Sequence, residues 1–168
     1  MTWLWATLGV ALFLAVGGVG WMRRAAARAP APELGVEDGR LAPCPETPNC
    51  VSSQAHPYDD AHYLAPVPFD GDPDAVLEIL DEVMRARPLT ERVERSGRYL
   101  RYTSRTYLLR FVDDVEFWVD ADASEIHFRS ASRLGEGDLG ANRTRMRSVL
   151  SDVADRLEDR GMDGNNGV

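Results

Sequence analysis

The segment RSASRLGEGDLGANRTR, from Arg129 to Arg145, gathers the residue types that hold anions. Arg129 and Arg133 stand at even spacing, so on a regular strand their guanidinium groups share a face. A glycine-rich turn then leads into a helix start at Asp138, followed by Asn142, Arg143 and Arg145. Forked guanidinium groups, backbone N–H donors and the positive end of a helix dipole together suit a carboxylate or a phosphate. The candidate ligand set is Arg129, Ser130, Arg133, Asn142 and Arg143, with Asp113, Asp114, Glu116 and Asp138 around it. The same residues also admit a structural reading. Arg129 and Arg133 would then be locked in ion pairs with Glu116 and Asp114, and Asp138 would serve as an N-cap whose charge weakens an anion site.

The acidic trio Asp113, Asp114 and Glu116 could instead supply a general acid and base, and a hydrolase would combine Asp114 or Glu116 with His127. Against this, turn chemistry accounts for Asp113, and cross-strand pairing with Arg129 accounts for Glu116. A serine nucleophile among Ser52, Ser53, Ser130 and Ser132 needs a positioned base, and no histidine stands in a nucleophile-elbow context. Cys44 and Cys50, in CPETPNC, are the only cysteines. A disulfide there closes a short loop and contributes about 2 kcal/mol, on an oxidising side only. Zinc would need further ligands, with only His56 and His62 near, and the spacing fits neither a common zinc pattern nor a redox C-x-x-C pair. No motif calls for a metal or another cofactor.

These groups need elements to position them. Asp72 as N-cap and Pro73 at the first helical position open a helix over about 73–86, with Val76, Ile79, Leu80, Val83 and Met84 on its buried face. Pro88 stops it. From Leu89 to Arg133 the pattern alternates with period two, broken by Ser96-Gly97, Asp113-Asp114 and DADAS at 120–124. This predicts four antiparallel strands in a meander. Around the last turn, Val119 pairs with Ile126 and Phe117 with Phe128 on one face; Glu116 meets Arg129 and Trp118 meets His127 on the other. Asp138 caps a closing helix with Met146, Val149, Leu150, Val153 and Leu157 as its apolar stripe, and Gly161 ends it. The proline-rich stretch from Leu41 reads as an ordered loop with a short extended segment at 62–67. The expected class is α+β, with the closing helix packed on the sheet.

Ahead of this domain, Trp3 to Met22 runs 20 residues without a charge. At 1.5 Å per residue a helix of that length spans about 30 Å, the thickness of a bilayer's hydrocarbon core. Trp3, Trp5 and Trp21 stand near its ends, where indole rings favour the head-group layer. The absence of Lys or Arg before residue 23 argues against a cleaved signal peptide. The expected organisation is a transmembrane anchor at 3–22, a Pro/Ala-rich tether at 23–40, one domain at 41–160 and a disordered tail at 161–168. Arg23, Arg24 and Arg28 place the domain on the cytoplasmic side by the positive-inside rule, whereas a Cys44–Cys50 disulfide would place it on the other. The reading leans to the charge rule. A net charge of −8 and a pI near 4.9 exclude an electrostatic grip on nucleic acid. All 19 basic residues are arginine, a bias that either a GC-rich genome or adaptation to high salt would produce.

The stretches CPETPNCVSS, FVDDVEFWVD and RSASRLGEGDLGANRTR, in this order, resemble the family known as domain of unknown function fourteen-ninety-nine, over about residues 41–157. The resemblance implies a membrane-associated or exported protein. It also implies that Cys44, Cys50, Asp113, Asp114, Arg129, Ser130, Arg133, Asp138, Asn142 and Arg143 form one constellation, without giving any of them a role. The expected function is a membrane-tethered binding or accessory domain that recognises an anionic group of a lipid, metabolite or membrane-protein partner through Arg129–Arg145. The alternatives are the hydrolase above and a structural subunit of a membrane complex.

Overall fold

Four of the strands run as the alternation of apolar residues dictates: β5 (Thr90–Ser96), β6 (Tyr99–Arg105), β7 (Val112–Asp120) and β8 (Glu125–Ser132) form an antiparallel meander. The computed structural model of the chain describes residues 17–26, 28–107 and 109–162. Val119 pairs with Ile126, Phe117 with Phe128, Glu116 with Arg129 and Trp118 with His127, as the period-two pattern requires. Helix α2 (Pro73–Arg85) starts where Asp72 accepts the Asp74 N–H and Pro73 presets φ. Helix α3 (Ala141–Asp159) begins after Gly140, which sits in the left-handed region at φ 77°. The Asp138 carboxylate caps it from outside, accepting the N–H groups of Gly140 at 2.9 Å and Asn142 at 2.7 Å.

Both helices lie on one face of the sheet. Val76, Ile79, Leu80 and Met84 of α2, and Met146, Val149, Val153 and Leu157 of α3, close over Leu100, Tyr102, Val115, Phe117, Val119, Ile126 and Phe128. Each such side chain contributes about 1.5–3 kcal/mol on full burial.

The sheet is wider than the four strands expected. Its order is β3-β8-β7-β6-β5, where β3 (Cys50–Ser52) and β4 (Val67–Pro68) share the outer edge of β8. Between them, Ser53 donates its N–H to the Phe128 carbonyl and accepts the Phe128 N–H on its Oγ, so one side chain replaces a backbone rung. A second correction concerns Asp113-Asp114. They do not break the meander but lie inside β7, each 1 % exposed, and the β6–β7 connection runs through 106–111.

The other face of the sheet is covered by residues that the sequence reads as a tether. Strands β1 (Val36–Glu37) and β2 (Arg40–Leu41) form a hairpin, with Asp38 (φ 49°) and Gly39 (φ 73°) as a two-residue loop of the Asp-Gly kind. A Cβ at residue 39 would stand 3.3 Å from Trp118 Cη2. The strap is held by Gln54, which accepts the Leu41 N–H at 2.8 Å and donates to the Gly39 carbonyl at 3.0 Å. Further back, the Pro32 carbonyl accepts Arg101 Nη2 at 3.2 Å. Cys44 and Cys50 are joined in a disulfide between the strap and β3.

Residues 17–26 form α1. Among the described residues no helix is long and apolar enough to cross a membrane; residues 3–16 of the expected anchor and 163–168 of the expected tail lie outside them.

Gln54→Ala should free the strap and spare the sheet. The expected result is fast hydrogen exchange at the Leu41 amide with unchanged protection in β6–β8, at a cost of about 1 kcal/mol for each lost hydrogen bond.

Candidate functional site

Strand β7 places Asp114, Glu116 and Trp118 on the strap face, because alternate residues of a strand share a side. Glu116 is fully buried, and its carboxylate accepts Arg129 Nη1 at 3.1 Å from β8 and the Tyr99 hydroxyl at 2.9 Å from β6. Burial pushes the Glu116 carboxyl up, against the opposing pull of Arg129, Tyr99 and Arg101. Asp114 accepts Arg133 Nε at 2.7 Å and Nη2 at 2.8 Å, a bidentate grip, and also Arg101 Nη2 at 3.2 Å. The Asp114 carboxylate raises the Arg133 guanidinium in turn.

On this face three guanidinium groups, Arg101, Arg129 and Arg133, meet two carboxylates, Asp114 and Glu116. Among the buried groups of this face guanidinium outnumbers carboxylate by one, and the exposed Glu94 of β5 stands in register with Arg101. The Nε–H groups of Arg101 and Arg129 are buried and have no hydrogen-bond partner among the described residues.

Ser130, Asn142 and Arg145 belong to the opposite, helix-bearing face. There Asp113 accepts the Ser132 hydroxyl at 2.6 Å and pairs with Arg145. Asn142, 1 % exposed, accepts from the Ser130 hydroxyl and from Arg145 Nη1, and its Nδ2 faces the Asn49 carbonyl, Ser132 Oγ and Asp138. Arg143 donates to the carbonyls of Asp60, Ala61 and Tyr63, tying that loop to α3. The five expected ligand residues are thus divided between two faces of one sheet, and each is engaged inside the fold.

His127 stacks on Trp118, with ring centroids 5.4 Å apart. Its Nδ1 lies 3.1 Å from Ser53 Oγ and its Nε2 3.5 Å from Glu125. This gives Ser53 a basic neighbour that sequence spacing did not foretell. The hydroxyl already accepts the Phe128 N–H, however, and the residue is 6 % exposed. A nucleophile needs a free approach and an oxyanion donor, and this serine is a rung of the sheet. Asp114 and Glu116 are held by arginines rather than directed at His127.

A concavity of about 1000 Å³ lies between the strap at 33–46 and the loop at 52–62. Glu33, Glu37, Asp38, Glu46 and Asp59 stand around it with Arg40, His56 and His62. Ser52, in register beside Arg129, is part of its wall, so the cleft adjoins the arginine face there.

Arg101, Tyr99 and the strap were not singled out by the sequence reading. Arg101 falls opposite Glu116 once β6 and β7 are aligned. Taking Asp113-Asp114 for a turn hid that register. The strap had its own signal, the Asp38-Gly39 dipeptide.

Fold and site define an α+β domain whose antiparallel sheet carries helices on one face and a strapped arginine–carboxylate layer on the other. The chain belongs to the family described as Protein of unknown function (DUF1499), which it matches over residues 40–153. No curated protein and no solved structure matches it.

Burial holds the His127 imidazole below its ordinary range. A histidine that binds a proton less readily when folded contributes stability at high pH, which is lost as pH falls below the unfolded value of about 6.5. Urea midpoints should therefore drop between about pH 7.5 and pH 5, and His127→Gln should flatten that limb. An unchanged slope in the variant would assign the acid sensitivity elsewhere.

Proposed function

We propose that this chain is a non-catalytic, membrane-tethered accessory domain whose arginine face takes up one small anionic group, a carboxylate or a phosphate. The observation that carries this reading is the pair of buried Nε–H donors, on Arg101 and Arg129, without a partner among the described residues, on a face where buried guanidinium groups outnumber buried carboxylates by one. Native folds leave few buried donors unmet, and a buried charge without a counter-charge is costly. A single anion of modest size answers both. The acidic rim of the adjoining cleft disfavours a highly charged ligand and favours one that carries a cationic group beside its anionic one.

The hydrolase reading draws no support from the geometry, because both of its carboxylates are neutralised by arginine. For the membrane tether, the support is the 20-residue uncharged stretch with its terminal tryptophans. For the side of the membrane, the Cys44–Cys50 bond supports an oxidising compartment and outweighs the three arginines of the tether, since the bonded pair closes the loop that leads into β3.

Arg133→Met is the informative substitution. It removes the surplus buried guanidinium, yet Asp114 keeps Arg101. Inorganic phosphate or phosphoethanolamine should stabilise the wild-type protein by about 2.7 kcal/mol at a hundredfold excess over Kd, read as a shift in melting temperature. Arg133→Met should abolish that shift. Arg143→Met, which leaves the face charge untouched, should retain it and so control for general salt effects. A wild-type protein indifferent to both probes, or an Arg133→Met protein that responds normally, would make the layer purely structural.

A further inference from the structure

Strand β7 begins beside the end of β8, where Asp113 pairs with Ser132 and Arg133 donates its N–H to the Val112 carbonyl. The loops 106–111 and 133–140 therefore emerge side by side at one end of the sheet. They carry apolar side chains that the core does not use: Tyr107 is 75 % exposed, Leu134 38 % and Leu139 fully exposed. Leu139 also sits at φ 53°, a conformation that leucine rarely adopts. The conformation serves the Asp138–Ala141 turn that caps α3, and it leaves the leucine side chain in solvent. Exposed aromatic and aliphatic residues grouped at one end mark a surface that meets something apolar. Arg110, on the same loop and also at positive φ, makes no ion pair among the described residues.

The path of the strap says what that something is. Gly39 lies against Trp118, near one end of the sheet, while Pro32 is fixed by Arg101 beside Asp114, toward the end that carries the two loops. Traced backward from Gly39 to Pro32, the chain runs toward the loop end. Nine residues lie between Met22 and Pro32, a reach of at most about 35 Å even fully extended. With residues 3–22 as a membrane span, so short a tether keeps the domain at the membrane surface, and the strap leaves Pro32 on the side of the apolar end.

We propose that the end of the domain that carries Tyr107, Leu134 and Leu139 rests in the interfacial layer of the bilayer, with these three side chains inserted among the head groups. Aromatic and aliphatic side chains suit that layer, and here they stand beside Arg110 and the exposed Glu136. The inference rests on the reading of residues 3–22 as a membrane span.

The test uses the full chain in vesicles of phosphatidylcholine with a minor fraction of phosphatidylglycerol. Leu139→Cys is labelled with the environment-sensitive dye NBD, its thiol being the only free one while Cys44 and Cys50 remain bonded. Asp122→Cys, in the turn at the opposite end of the sheet, serves as control. The protein should float with the vesicles. NBD at 139 should then shift to the blue, brighten severalfold and be quenched by doxyl-labelled lipid, while NBD at 122 reports water. Flotation with a water-like signal at 139 overturns the docking proposal and leaves the anchor intact. A blue-shifted signal that doxyl lipid does not quench shows a second copy or another protein on the patch, and overturns the bilayer assignment. Failure to float removes the anchor and the proposal with it.

Discussion

Glu116 sits in β7, the central strand of the order β3-β8-β7-β6-β5, on the face opposite α2 and α3, and its carboxylate is fully buried. A lone carboxylate in that position would be desolvated at a cost of several kcal/mol. Arg129 from one neighbouring strand and Tyr99 from the other meet its two oxygens, and Asp114 repeats the arrangement with Arg133 and Arg101. The polar face then resembles a second core, built of charge pairs instead of hydrocarbon. Like any core it requires a cover. The β1–β2 hairpin, the Gln54 clamp and the disulfide-bonded loop provide one, so a segment that would otherwise swing freely becomes part of the domain.

This constraint links the ends of the molecule. Because Arg101 holds Pro32 as well as Asp114, the residue that completes the charge layer also fixes where the chain leaves toward its hydrophobic N-terminal stretch. Charge pairing inside the sheet thereby anchors the strap at Pro32. The helix-bearing face shows the same economy at smaller scale. Asn142 joins α3, β8 and the loop before β3 through one buried amide, and Arg143 binds three carbonyls of the 60–63 loop.

Local periodicity was enough to read α2, α3, the four-strand meander and the β7–β8 register, because each depends on contacts between chain neighbours or across a short turn. The pairing of Glu116 with Arg129 followed from that register. What the pattern concealed was long-range. Strand β3 has three residues and β4 has two, too short for alternation to register, and they become strands only by lying on β8. Asp113-Asp114 looked like a turn because aspartate favours turns; their burial is decided by Arg145 and Arg133, which lie far along the chain. Arg129, Ser130, Arg133, Asn142 and Arg143 appeared to be one ligand set from their closeness in sequence, but the alternation of a strand sends Arg129 and Ser130 to opposite faces.

If the Glu116–Arg129 pair is the element on which the sheet's second face is built, its two members must depend on each other. A double-mutant cycle with Glu116→Gln, Arg129→Met and the combined variant, followed by urea unfolding, measures that dependence directly. The account predicts that each single change costs about 3–5 kcal/mol, by leaving a buried partner unmatched, and that the double change costs far less than their sum, a coupling of about 2 kcal/mol or more. Losses that simply add would contradict it.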